Sequence, residues 1–174
     1  QAEHGTGSEK AILITTSQKN AEEVRAEVLR QAATLSRAEP IYQVLEKGML
    51  LVVVKDLTDG MKLCNLFAPE HMELIVKNPE KWVDKVEHAG ALFIGEWTPE
   101  AVGDFAAGPS HVLPTGGTAA YFSGLTVEDF RRRMSLIQFT REDLQDVLPV
   151  VEAFGRVETL EGHARSATIR FTRH

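Results

Sequence analysis

The stretch AILITT, residues 11–16, decides the fold, together with its counterpart MLLVVV, residues 49–54. Each is a short, unbroken apolar run rich in β-branched side chains. Neither alternates with polar residues, so no face is set aside for water. Such runs predict buried strands of the kind found in parallel sheets. ALFI at 91–94, bounded by Gly90 and Gly95, reads as a third strand, and ELIV at 73–76 as a weaker fourth.

Helical patterns lie between these runs. Asn20–Leu35 places Val24, Val28, Leu29 and Leu35 on one side with charges opposite. Asp56–Phe67 opens on an aspartate able to cap a helix. Asn78–Val86 begins Asn-Pro, a cap followed by proline at the first helical position, and Thr98-Pro99-Glu100 repeats the signal. Strand and helix in alternation predict a layered α/β lobe with a mainly parallel sheet over residues 1–124. Gly108-Pro109, Pro114 and Gly116-Gly117 then impose a long loop to about Gly124, the kind of segment that often carries function. Residues 125–174 predict a C-terminal helical arm, with helices near Val127–Met134 and Arg141–Phe154 and a short closing strand at Ala167–Phe171. The arm has little core of its own, which predicts packing on something else, such as another subunit.

The 174 residues, 43% of them hydrophobic, suffice for a packed core. A net charge of −6 gives no support to a nucleic-acid partner, and Arg131, Arg132 and Arg133 read as a solvated helix face. No apolar stretch approaches the roughly 20 residues that span a bilayer. The single Cys64 excludes an internal disulfide framework and fits a reducing compartment. It lies in the apolar run KLCNLF with no evident cation beside it, which reads as an inert buried thiol. There is no GxGxxG and no P-loop lysine motif.

Four histidines stand in polar company. Gln1 and His4 are three apart, on one face of a helical turn; histidine is a frequent zinc ligand and glutamine a rare one, and a solvated helix start has the same spacing. Glu70-His71 sets a carboxylate beside an imidazole at the start of a strand, where α/β active sites tend to lie, although adjacent residues of an extended chain point apart. Asp104 and His111 flank the Gly-Pro break and can reach one pocket. Glu158 and His163 stand five apart in the arm, in a segment with no strong periodicity, and from spacing alone read as surface residues. His88 and His174 have no such companions and are assigned to the surface.

These signals follow one another in a fixed order: QAEHG at 1–5, APEHMEL at 68–74, AGALFIGEWTPEAVGDFAAGPSHVLPTGGTAAYFSGLTVEDF at 89–130, and VETLEGHA at 157–164. The order closely resembles the histidinol dehydrogenase family, zinc enzymes that complete histidine biosynthesis, and the likeness runs from Gln1 to about Phe171. In that family the QAEH segment lies mid-chain, so the resemblance implies a C-terminal segment of such an enzyme, with an incomplete Rossmann-like lobe lacking strands supplied from upstream. It implies zinc ligands at Gln1, His4, Asp104 and His163, and an acid–base pair at Glu70 and His71. Substrate contacts are implied at Gln1, His4, His71, Asp104, His111, Glu158 and His163. The implied cofactors are one zinc ion per site and NAD, whose binding residues would lie upstream, so none is assigned here. The implied partners are L-histidinol, the missing N-terminal part of the enzyme, and a second subunit in a homodimer whose site the arm completes. The implied location is cytoplasmic, or plastid in a plant. The same resemblance leaves open a chain that holds zinc and an imidazole ligand without redox chemistry.

Overall fold

The computed structural model describes residues 1–172. The chain resolves into two compact units, Gln1–Phe130 and the remainder from Arg131. The first unit holds strands β1 (Ala11–Thr15), β2 (Met49–Val53), β3 (His71–Leu74) and β4 (Ala91–Ile94). Its helices are α1 (Gln18–Ala32), α2 (Ala38–Lys47), α3 (Leu57–Phe67) and α4 (Glu100–Phe105). All strand pairing among the described residues is parallel, in two separate pairs, β1 with β2 and β3 with β4. The chain is therefore α/β, as the alternation predicts. The strands are less buried than the apolar runs suggest: Leu50 and Val53 of β2 remain exposed.

Local chemistry sets the element ends. Ser17 caps α1 by accepting from the Asn20 N–H at 3.2 Å, so the helix starts two residues before the expected Asn20. The buried Thr15 hydroxyl accepts from the Ser17 N–H and from the Asn20 side chain, each at 3.2 Å, which ties β1 to the helix start. Helix α2 has no counterpart in the expected pattern. Its Pro40 lies in the first turn, where no helical hydrogen bond is lost, and Ile41 and Val44 beyond it are buried. Asp56 caps α3 through the Asp59 N–H at 2.9 Å.

The strand expected at 73–76 lies two residues earlier, as β3, and three further expected elements change type. The helix at 78–86 is instead two short 3₁₀ turns, Pro79–Lys81 and Val83–Lys85, because Asn78 sits in the left-handed region (φ 54°) and offers no side-chain cap. The helix at 127–134 shrinks to a 3₁₀ turn, Val127–Phe130, closed by the Asp129 carboxylate accepting from the Thr126 N–H and hydroxyl. The closing strand at Ala167–Phe171 is helical. It belongs to α6 (Glu161–Thr172), which packs on α5 (Arg141–Val157) as a helical hairpin. Gly155 of α5 lets the backbones close in, since a side chain there would meet the Ala164 methyl at 2.7 Å, and Ala167 is buried one turn on. Packing thus overrides the strand preference of Thr168, Ile169 and Phe171. A Thr140–Asp143 capping box starts α5, and the Arg141 guanidinium lies 5.3 Å over the Phe171 ring.

The β3–β4 pair positions the site. Met72 and Leu74 turn one way, into a core with Met61 of α3, lined by Cys64, Trp82, Val86 and Leu92. His71 and Glu73 alternate to the opposite face, in register with Ala91 and Phe93 of β4. Helix α4 lies on that second face: a side chain at Gly103 would meet the Phe93 ring at 2.7 Å, so glycine permits the approach.

Candidate active site

His71 is the first residue of β3. The chain reaches it through Ala68, a buried α3 cap in the left-handed region (φ 49°), then Pro69 and Glu70. Glu70 is half-buried, and its carbonyl accepts the Ala91 N–H at 2.8 Å, locking the strand start to β4. The His71 side chain is only 5% exposed. Its ring lies 5.2 Å from that of His4 and 6.2 Å from that of Phe93.

Helix α4 delivers the carboxylates. Pro99 offers it no side-chain cap, and Glu73 of β3 substitutes by accepting the Glu100 N–H at 2.8 Å. Glu100 and Asp104 are four apart and share one helix face. The Glu100 carboxylate faces the His71 Nε2 at 3.5 Å. Both ring nitrogens of His71 and the Glu100 Oε1 are buried without a hydrogen-bond partner. Buried polar atoms seldom go unpartnered, which marks this cluster as the candidate site.

His4 arrives on the N-terminal turn, where its N–H donates to the Gln1 carbonyl at 3.2 Å. The Arg37 guanidinium straddles it, donating to the carbonyls of Glu3 and Gly5. The Glu9 carboxylate closes the following bend through the N–H groups of Thr6 and Gly7, which hold it below the ordinary carboxylate range. The donor atoms of His4, Glu100 and Asp104 lie within 4.8 Å of one another. An imidazole nitrogen with two carboxylates is a donor set that suits zinc, among other divalent ions.

Of the residues singled out from sequence, the structure therefore gathers His4, His71 and Asp104 at one place. Gln1 is exposed on the same turn as His4. His111 is exposed in the loop and, with Asp104, lines a cavity of about 360 Å³ floored by Phe93 and walled by Leu113 and Thr126. Glu158 and His163 belong to the second unit, where both line a hollow of about 300 Å³ with Val150, Phe154 and Leu160. His88 differs from its assignment: its Nδ1 lies 3.1 Å from the Asn65 carbonyl, and its N–H donates to the Asn65 side chain at 3.4 Å. His174 lies outside the described residues. Burial raises the Cys64 thiol above its ordinary range, in keeping with an inert side chain. Sequence reasoning missed Glu100. Its signal was present, a carboxylate one helical turn before Asp104 at a Thr-Pro-Glu helix start.

Fold and cluster define a class: an α/β protein with a candidate divalent-cation donor set beside a buried histidine. The chain belongs to the histidinol dehydrogenase family, whose sequence profile matches residues 1–171. It is 44% identical over 171 residues to the histidinol dehydrogenase of Bacillus cereus, covering 98% of this chain and 40% of that one. It is 45% identical over 170 residues to the histidinol dehydrogenase of Thermus thermophilus, covering 98% and 41%. The crystal structure of histidinol dehydrogenase from Elizabethkingia anophelis superposes with a TM-score of 0.94 at 31% identity, over 98% of this chain and 39% of that one. The chain thus spans about 40% of the length of the curated relatives it matches. Among the described residues no helix is long and apolar enough to cross a membrane.

Proposed function

We propose that this chain carries the zinc and substrate site of a histidinol dehydrogenase, which oxidises L-histidinol through L-histidinal to L-histidine. The observation that carries the reading is the cluster of His4, Glu100 and Asp104 against the buried, unpartnered His71, in a member of this family. Gln1, His4, Asp104 and His163 would hold the zinc. When bound, zinc would hold and orient the substrate, and NAD would accept a hydride in each of the two oxidations. No residue of this chain is assigned to NAD.

The chain's own groups move protons and orient. His71 accepts the proton of the substrate alcohol, and its near-complete burial excludes competing water from that nitrogen. Glu70 takes a proton from the water that attacks the aldehyde, and His71, once it has given up its first proton to solvent, accepts the hydroxyl proton of the hydrate in the second oxidation. His111 and Glu158 contact the substrate. In the homodimer this reading implies, His163 and Glu158 serve the neighbour's site. The ligand set and the positioned base leave this chain the work of orientation and proton transfer, while the hydrides pass to NAD.

The test is His71→Asn in the enzyme that carries this chain. Turnover should fall by about 10²–10⁴-fold, the usual worth of a positioned base, with zinc content unchanged. Near-normal rates would remove His71 from the chemistry.

A further inference from the structure

We infer that Glu100 is a positioning residue that sets the tautomer of His71. The inference rests on reading His71 as the proton acceptor. An imidazole can accept a proton at one nitrogen only while the other carries hydrogen, and the partner of that second nitrogen decides which is which. Glu100 Oε1 faces His71 Nε2 at 3.5 Å, both atoms are buried, and neither makes a hydrogen bond in this structure, so the pair is apposed and has only to tighten. On tightening, a carboxylate there would accept an Nε2–H and leave the lone pair on Nδ1. Nδ1 is the other buried, unpartnered atom of the ring, and so the one left for the substrate. A separation at the long end of hydrogen-bond range is common where catalytic groups tighten only on binding.

The fold fixes this pair independently of any ligand. Glu73 shares the β3 face with His71 and holds the backbone N–H of Glu100 at 2.8 Å. Phe93, in register with Glu73, supports α4 at Gly103. The base and its orienting carboxylate therefore sit on one strand–helix unit. Glu100 also lies among the donor atoms of His4 and Asp104, so a metal-ligand role is the competing assignment.

The test is ¹⁵N NMR of the metal-free chain labelled at histidine, at about pH 9, where a free imidazole is neutral. His71→Asn assigns the ring signals. The wild-type ring should favour the Nε2–H form by about tenfold or more, as expected for a hydrogen bond to a charged acceptor. Glu100→Ala should return the ring to a mixture of both forms. Glu100→Gln, which keeps the shape if the alanine variant fails to fold, should weaken the preference in the same direction. A wild-type ring already mixed or in the Nδ1–H form overturns the inference. So does a folded variant that keeps the wild-type tautomer; loss of zinc on reconstitution of that variant would make Glu100 a ligand instead. The tautomer is read without zinc, histidinol or NAD, so its outcome is separate from that of the proposed chemistry.

Discussion

Replacing Gly103 by alanine isolates the contact that holds α4 against the site strands. The added methyl carbon would sit 2.7 Å from Cε1 and 2.8 Å from Cζ of Phe93. Ordinary carbon contacts need about 3.5–4.0 Å, so roughly 1 Å must be found. The Phe93 ring is only 7% exposed and is flanked by His71, which leaves it little room to tilt. Overpacking of this kind costs about 1–3 kcal/mol, and alanine in a helix restores about 1 kcal/mol relative to glycine. The net expectation is a destabilisation of about 1 kcal/mol. Urea melts followed by tryptophan fluorescence read it, since Trp82 and Trp97 both lie in the first unit. The decisive comparison is the same substitution in a Phe93→Leu background, which lacks the two clashing ring atoms. There Gly103→Ala should become neutral or stabilising, a coupling of about 1–2 kcal/mol. An equal effect in both backgrounds would refute the idea that α4 rests on Phe93, and with it the argument for how Glu100 and Asp104 are placed.

Two further outcomes follow from the packing. Gly155→Ala should destabilise the α5–α6 hairpin by about 1–3 kcal/mol, because the Ala164 methyl at 2.7 Å has no rotamer to yield; adding Ala164→Gly should recover most of it, and no recovery in far-UV melts would place the fault elsewhere. Cys64, whose thiol burial pushes up, should be alkylated at pH 7 more slowly in the native chain than in urea, and equal rates would contradict its packing beside Met61.

The sequence disclosed the strands at 11–15, 49–53 and 91–94 because continuous β-branched runs have few other uses in a chain of this composition. It also disclosed α3, whose Asp56 cap acts within four residues. Elements decided by distant contacts were hidden. Thr168 and Ile169 favour a strand locally, but the close approach of Gly155 to Ala164 makes them helical, and that pairing has no local mark. Helix α2 carried no expectation; it spans only ten residues, and the burial of Ile41 and Val44 that holds it is set by the fold. At the site, His4, His71 and Asp104 were each named from sequence, but only the fold sets an N-terminal turn, a strand start and a short helix side by side. Glu100 escaped notice because its worth comes from His71, 29 positions earlier in the chain, and from the Glu73 carboxylate that caps its helix.

Calorimetry of L-histidinol binding to the chain, with and without one equivalent of zinc, tests the central claim most directly. The account predicts heat of binding only when zinc is present, and its loss in Asp104→Asn. Binding that ignores zinc, or no binding with zinc fully loaded, would contradict the assignment of this cluster as the substrate site.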